Sequence, residues 1–195
     1  MLPYGTVPQS DVEVMPLRWY AAYTRHQHEK SASSYLAQKG MEVLLPLYRS
    51  LSRWKDRNKE VLLPLFPGYV FVLTDLERRV EVLRAPGVCW LVGSAGIPVA
   101  VSTHEIERVR RLTESPLSYA PHPYLKRGDR VRVLSGPLEG MEGILIRVKK
   151  QCRVVVTMDL LRQAASVEIE STNLERISAT ASVPLAQLAR ARQYS

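Results

Sequence analysis

The sequence has few cysteines and no long apolar run. Its two cysteines, Cys89 and Cys152, are too few for a disulfide framework, which fits a reducing cytoplasm. Residues 1–16 contain neither the basic start nor the apolar core of a signal peptide, and no apolar run approaches the length of a membrane span. These absences favour a cytoplasmic protein without membrane association.

Residue sets that would support catalysis are also missing. The four histidines are scattered, and no cysteine or carboxylate cluster completes a metal site around His26 and His28. The chain has no Walker loop, no G-x-S-x-G motif and no plausible triad. We therefore expect no enzymatic activity, no metal and no cofactor.

Positive charge is abundant, with a net charge of +8 and a pI of about 9.7. Residues 1–113 and 114–195 each carry a net +4, so any basic patch must be local. Residues 49–59 read RSLSRWKDRNK and alone carry +4, between two predicted strands. Cations for phosphate and an indole for base stacking make this segment, with two residues before the first helix, a candidate nucleic-acid site. The candidates are Arg25, His26, Arg53, Trp54, Lys55, Arg57 and Lys59. A solvated hairpin explains the pattern equally well.

The segment Phe66-Pro67-Gly68-Tyr69-Val70-Phe71-Val72 contains both phenylalanines of the chain. Its aromatic and β-branched residues favour a strand, and Pro67-Gly68 favours a kink before it. Both faces of that strand are apolar, so both need to be covered. The strand is either central in an ordinary sheet, or one of its faces is a docking surface for a protein partner.

Periodicity predicts two domains. After a loose leader at 1–16, residues 17–113 read β-α-β-β-α-β-α, which indicates an α/β sandwich of a mostly antiparallel sheet with helices. Two predicted capping boxes open helices, at Thr74-Asp75-Leu76-Glu77 and at Ser102-Thr103-His104-Glu105.

A proline-rich linker is predicted at 114–126, and short strands alone follow over 127–177. We expect these strands to form a small β-barrel, followed by a tail at 178–195 with one short frayed helix. The fold class is therefore α+β.

Two motifs resemble the NusG family of transcription elongation factors. Arg18-Trp19-Tyr20, a helix, a basic hairpin and then Phe66-Pro67-Gly68-Tyr69-Val70 are similar to the N-terminal NusG domain. The segment KRGDRVRV at 126–133, followed by GPLEGMEG at 136–143, looks like a KOW motif, which is typical of an SH3-like barrel. The resemblance covers roughly residues 17–177.

The resemblance implies a function. NusG factors bind the clamp helices of the largest subunit of RNA polymerase, suppress pausing and touch non-template DNA, while the KOW domain is a tethered adaptor for other proteins. By resemblance, the polymerase-facing pocket maps to Trp19, Tyr23, Phe66, Tyr69, Phe71 and Val92. For Trp19 and Val92, a place in the core is an equally good interpretation. We expect a monomer.

The chain departs from the general members of the family in the predicted barrel. Leu160 and Leu161 stand where those members have a Phe-Gly pair that binds ribosomal or termination partners. We expect an exposed apolar tip here, which could still bind a partner such as a ribosomal protein. The change is more typical of specialised RfaH-type or capsule-locus antiterminators. The alternative function is a ribosomal-type RNA-binding module with the KOW motif as its main site.

Overall fold

The computed structural model of the protein describes residues 16–54, 57–125, 128–148 and 151–177. The predicted tail and most of the predicted leader therefore lie outside the described residues. The N-terminal elements, in chain order, are β1 (Arg18–Thr24), α1 (Glu29–Gln38), β2 (Glu42–Leu44), β3 (Leu47–Trp54), β4 (Arg57–Pro64), β5 (Tyr69–Thr74), α2 (Arg79–Leu83), β6 (Val88–Leu91), β7 (Gly93–Ser94), β8 (Ile97–Pro98) and α3 (Thr103–Glu114).

Strand β5 is an inner strand of a four-stranded antiparallel sheet with the order β2-β5-β1-β6. The prediction of a central strand is therefore confirmed. Its Val70 and Val72 side chains are fully buried in a cluster with Ala32 and Leu36 of α1 and Val82 of α2. The amphipathic spacing of α1 thus covers one face of the sheet.

Helix α3 covers part of the opposite face. Its Ile106, Val109 and Leu112 are fully buried in one cluster with Trp19 and Phe71. They recur at three-residue spacing, which places them on one side of the helix. The sequence did not show what covers this second face of the sheet. Helix α3 covers it at Trp19 and Phe71.

Neither predicted capping box forms its side-chain hydrogen bonds, but the second predicted helix begins where it was expected, with Ser102 as the N-cap of α3. Helix α2 is only five residues long and begins after Arg78, whose backbone N–H is bound by Asp75 Oδ1 at 2.9 Å. Helix α3 begins after Ser102, but Ser102 makes no side-chain cap, and Glu105 accepts a hydrogen bond from Asp159 N–H instead. A tertiary contact has replaced the local one in α3.

The C-terminal strands are β9 (Tyr119–His122), β10 (Asp129–Val133), β11 (Glu142–Val148), β12 (Gln151–Met158), β13 (Gln163–Ile169) and β14 (Leu174–Arg176). They form one antiparallel sheet, the C-terminal sheet, with the order β14-β10-β11-β12-β13-β9. The four strands predicted from alternation, which are β10 to β13, are confirmed. Strand β9 comes from the segment predicted as a linker.

The two parts of the described chain are in contact through α3. Arg108 donates to the carbonyl of Thr157 at 3.2 Å, and Arg111 donates to the carbonyl of Glu139 at 2.7 Å. Buried residues of α3 belong to the same hydrophobic cluster as Val154 of β12 and Leu161 of the loop between β12 and β13. Helix α3 is thus packed between the two sheets.

Candidate functional site

Three aromatic side chains meet on one face of the N-terminal sheet. The rings of Tyr23 and Trp90 are stacked, with centroids 4.4 Å apart and planes inclined by 19°. Tyr69 meets Tyr23 edge to face at 5.4 Å. We call Tyr23, Tyr69 and Trp90 the aromatic cluster.

Strand register explains why these rings come together. Tyr23 of β1 lies directly opposite Tyr69 of β5 and, on its other side, opposite Trp90 of β6. Directly opposite residues of an antiparallel pair point to the same face, and their side chains are neighbours. The cluster is thus a consequence of backbone pairing across three strands.

The cluster is open to solvent, mainly through Trp90. The Trp90 residue is 52% exposed, whereas Tyr23 and Tyr69 are half-buried. Ile97 of the neighbouring β7–β8 hairpin is also exposed. An exposed stacked tryptophan is typical of a protein-docking surface, because its large apolar area gains most from being covered.

A buried carboxylate supports the cluster from below. Glu29 of α1 is buried, and its Oε1 accepts a hydrogen bond from Gly68 N–H at 2.8 Å. Gly68 has φ +82, and a side chain there would come within 3.2 Å of the Tyr23 ring. The turn before β5 is therefore fixed by Glu29 and needs glycine beneath Tyr23.

Burial affects the chemistry of one ring in the cluster. The pKa of the Tyr69 hydroxyl is raised, first by burial and then by the nearby Tyr23. A tyrosine hydroxyl is protonated at neutral pH in any case, and the shift makes its ionisation still harder, so it can donate a hydrogen bond. A partner would meet an uncharged aromatic surface here.

Six residues were predicted to face a protein partner, and the structure divides them into two groups. Tyr23, Tyr69 and Val92 are half-buried, whereas the three others are in the core: Trp19, Phe66 and Phe71. The expectation that Phe71 lies bare is wrong in this conformation, because the Phe66 ring packs edge to face on it at 6.1 Å and α3 belongs to the same cluster.

Trp90, the most exposed member of the cluster, is not among the site residues predicted from the sequence. The alternation in Val88–Leu91 puts Trp90 and Val88 on one face, but it does not show which strand lies beside β6. That information comes from the pairing of β6 with the far end of β1.

The predicted basic hairpin is confirmed as a two-stranded sheet of β3 and β4. Trp54 pairs with Arg57 and Arg53 with Asn58 along the backbone. Lys55 lies outside the described residues, and the side chains of Arg53, Trp54, Arg57 and Lys59 lie outside the described part as well. Their role in nucleic-acid binding stays a prediction.

Arg25 and His26 are exposed just after β1, near the aromatic cluster. Arg25 N–H donates to the carbonyl of Gly87 at 2.8 Å, which ties this turn to the start of β6. The structure brings this pair next to the end of β1 that holds Tyr23. The two side chains are free to meet solvent.

The predicted apolar tip at Leu160 and Leu161 is wrong in this conformation. Leu161 is buried in the hydrophobic cluster, and Leu160 is half-buried against it. The loop faces α3, since Glu105 binds the N–H of Asp159 at 2.9 Å. Packing against α3 therefore covers what the sequence suggested was exposed.

The described residues contain no helix that is long and apolar enough to cross a membrane. Over the same ranges, no three histidine, cysteine, aspartate or glutamate side chains are grouped so that they could hold a metal ion. The site consists of apolar and aromatic surface.

The chain is similar in sequence to known proteins of one family. Residues 17–110 match the family model described as NusG, transcription termination factor. The chain is 30% identical over 190 residues to the transcription termination/antitermination protein NusG of Deinococcus radiodurans, covering 83% of this chain and all of that protein. It is 27% identical over 180 residues to NusG of Thermus thermophilus, covering 80% of this chain and 96% of that protein.

A solved structure is also similar. The structure described as "Domain interaction in Thermotoga maritima NusG" is 25% identical, with a TM-score of 0.54 over 83% of this chain and 98% of that chain. A sheet-rich α+β chain with this similarity is a transcription termination/antitermination factor. It belongs to the NusG family.

Proposed function

We propose that this chain is a non-catalytic elongation factor that binds the clamp helices of the largest RNA polymerase subunit and suppresses pausing and termination. The observation that supports this is the exposed aromatic cluster at the open end of a sheet face that α3 otherwise covers. A partner helix can lay an apolar stripe on such a surface. Trp90 and Tyr69 would be the anchors.

Binding to the isolated clamp-helix coiled coil tests the proposal. Trp90→Ala and Tyr69→Ala in the full chain should each weaken binding by about 30-fold or more, the effect of losing an anchor of about 2–4 kcal/mol. Val80→Ala is the matched control, because Val80 is an exposed apolar residue on α2. Unchanged binding of both cluster variants, with circular dichroism like that of the parent, would contradict the proposal.

We also propose that the β3–β4 hairpin touches non-template DNA. Its basic composition supports this, and Arg25 and His26 join it as exposed polar residues of the same domain. Replacing Arg53, Lys55 and Arg57 together by Gln should weaken association with single-stranded DNA. It should also lower the slope of log K against log salt by about 2.

Three other exposed arginines form a control for this measurement. Arg18, Arg79 and Arg84 are exposed in the same domain and outside the hairpin. Replacing them by Gln makes the same change in net charge, so the salt slope should fall less than it does for the hairpin variant. An equal fall would mean that overall charge, and not the hairpin, attracts the DNA.

The C-terminal part is, in this proposal, a KOW domain of SH3-like barrel type that acts as a tethered adaptor. Leu160 and Leu161, in place of a Phe-Gly pair, favour an operon-specific factor over a general one. Transcript profiling of a deletion strain should therefore show loss of distal transcripts at a few operons. Changes spread over most transcription units would instead indicate a general factor.

The alternative, an RNA-binding module of ribosomal type, has weaker support. The cations that alternate along β10, Arg130 and Arg132, are both paired with Glu142, at 3.3 and 2.7 Å. Paired cations attract phosphate less than free ones do. High-affinity binding of the C-terminal part of the chain to structured RNA would favour this alternative.

A further inference from the structure

Strand β9 belongs to the C-terminal sheet, although it lies in the connection between the two parts of the chain. Its residues pair with β13 in continuous register, with Tyr119 opposite Val167 and His122 opposite Ala164. Glu168 N–H also donates to the carbonyl of Ser118. The connection that remains between α3 and β9 is Ser115 to Ser118.

The same strand is also bound to the N-terminal part. The Tyr119 hydroxyl donates to the carbonyl of Leu47, which is the first residue of β3, at 2.8 Å. It lies 3.4 Å from the carbonyl of Thr113 in α3. One short strand thus holds elements of both parts in place.

The pairing of β9 sets how far the two parts can separate. Five Cα steps join Glu114 to Tyr119, and a fully extended chain of that length spans about 17 Å. If β9 leaves the sheet, the next residue in contact with the C-terminal part is Tyr124, whose hydroxyl donates to Asp159 at 3.1 Å. Tyr124 is ten steps from Glu114, which allows about 34 Å. Release of β9 therefore roughly doubles the reach of the connection.

The strand has the features of a segment that can come off. It has only four residues and lies at the edge of its sheet. The hydrogen bond from Glu168 to Ser118 sets the alternation, so Ala120 and His122 are in hydrogen-bonded pairs with β13 and Pro121 is not. The backbone nitrogen of Pro121 thus lies on the outer side of β9, so its missing N–H removes no hydrogen bond to β13. The same missing N–H prevents a further strand from pairing with this edge.

We propose that β9 is a releasable latch. While it pairs with β13, the C-terminal sheet is kept against α3, where Glu105, Arg108 and Arg111 bind it. When β9 detaches, the sheet can leave α3 and move as an independent body. This device concerns the reach of the C-terminal part and does not depend on which partner binds the aromatic cluster.

Two proline-related variants of the full chain test the latch. Ala120→Pro removes an N–H that faces β13, whereas Pro121→Ala adds one that faces outward. Ala120→Pro should raise the radius of gyration by roughly a quarter and let the two parts tumble independently in NMR relaxation. Pro121→Ala should leave both values as in the parent. A compact, jointly tumbling Ala120→Pro protein would overturn the proposal.

A disulfide gives a second test that does not break the strand. Opposite residues in a hydrogen-bonded pair have Cα atoms about 5.5 Å apart, within the range of a disulfide. Ala120→Cys with Ser166→Cys, in a background with Cys89→Ser and Cys152→Ser, can therefore close the latch covalently. Hydrogen exchange in α3 should be at least tenfold slower in the oxidised than in the reduced protein. Equal rates would overturn the proposal, also where Ala120→Pro proves unable to fold.

Discussion

The carboxylate of Glu29, on the first helix, binds the backbone N–H of Gly68 at 2.8 Å, 39 residues further along the chain. Gly68 in turn offers its carbonyl to Thr24 N–H at 2.8 Å, so the end of β1, the start of α1 and the turn before β5 are joined. This junction lies directly beneath the aromatic cluster. Its integrity sets the position of Tyr23.

Removing the Glu29 carboxylate should destabilise the protein. Glu29→Ala leaves the Gly68 N–H without its acceptor in a partly buried site, which costs about 1–3 kcal/mol of unfolding free energy. Urea denaturation followed by tryptophan fluorescence measures this. Glu77→Ala is the control, since Glu77 is exposed, and it should change stability little. Equal effects of the two substitutions would mean that the hydrogen bond contributes nothing.

The buried Phe71 should contribute more to stability than the exposed Trp90. Phe71 is fully buried, and Phe71→Ala should cost about 3–5 kcal/mol of unfolding free energy by leaving a cavity. Trp90→Ala should cost much less, because half of Trp90 is already in water. Chemical denaturation of both variants checks the order. A Trp90→Ala protein as unstable as Phe71→Ala would identify Trp90 as a core residue.

Two glycines with the same backbone angle should differ in their response to alanine. Gly87 has φ +78 and Gly96 has φ +79, so alanine meets similar strain of about 1–2 kcal/mol at either site. A side chain at Gly87 would also collide with His28, whereas Gly96 has open space. The midpoint of thermal unfolding should therefore fall further for Gly87→Ala. Equal shifts would show that His28 moves away at no cost.

Stability should depend on pH through Glu142. Its pKa is lowered chiefly by the hydrogen bond from Arg132, so the pair stabilises the fold above the usual glutamate pKa of about 4.3. That contribution is lost as the pH falls through the lowered pKa of the folded state. Glu142→Gln should thus be less stable than the parent at pH 7, with the difference vanishing in acid. Added salt should reduce the difference at pH 7, since both side chains are partly exposed. A difference that is constant with pH would contradict this.

Local patterns predicted most of the elements. Apolar spacing sufficed for α1 and α3, and alternation sufficed for the four main strands of the C-terminal sheet. Strand β5 was predicted from its aromatic and β-branched residues, and it is buried on both faces. Local patterns failed where distant residues compete. Glu105 leaves its own helix end for Asp159, and Leu161 is buried because α3 lies over its loop. Trp90 needed the register of three strands, which no single segment contains.

An ion pair between Arg110 and Glu42 lies at one edge of the N-terminal sheet. Arg110 of α3 reaches over the Trp19 ring at 5.7 Å and binds Glu42 at 2.8 Å, and that bond is the main reason its pKa is raised. Glu42 opens β2, a strand of three residues at the margin of the sheet. A margin that is short and carries a paired charge is a poor template for a foreign strand. The fold therefore protects this side from amyloid-like stacking, and replacing Arg110 and Glu42 by threonine should make concentrated solutions bind thioflavin T.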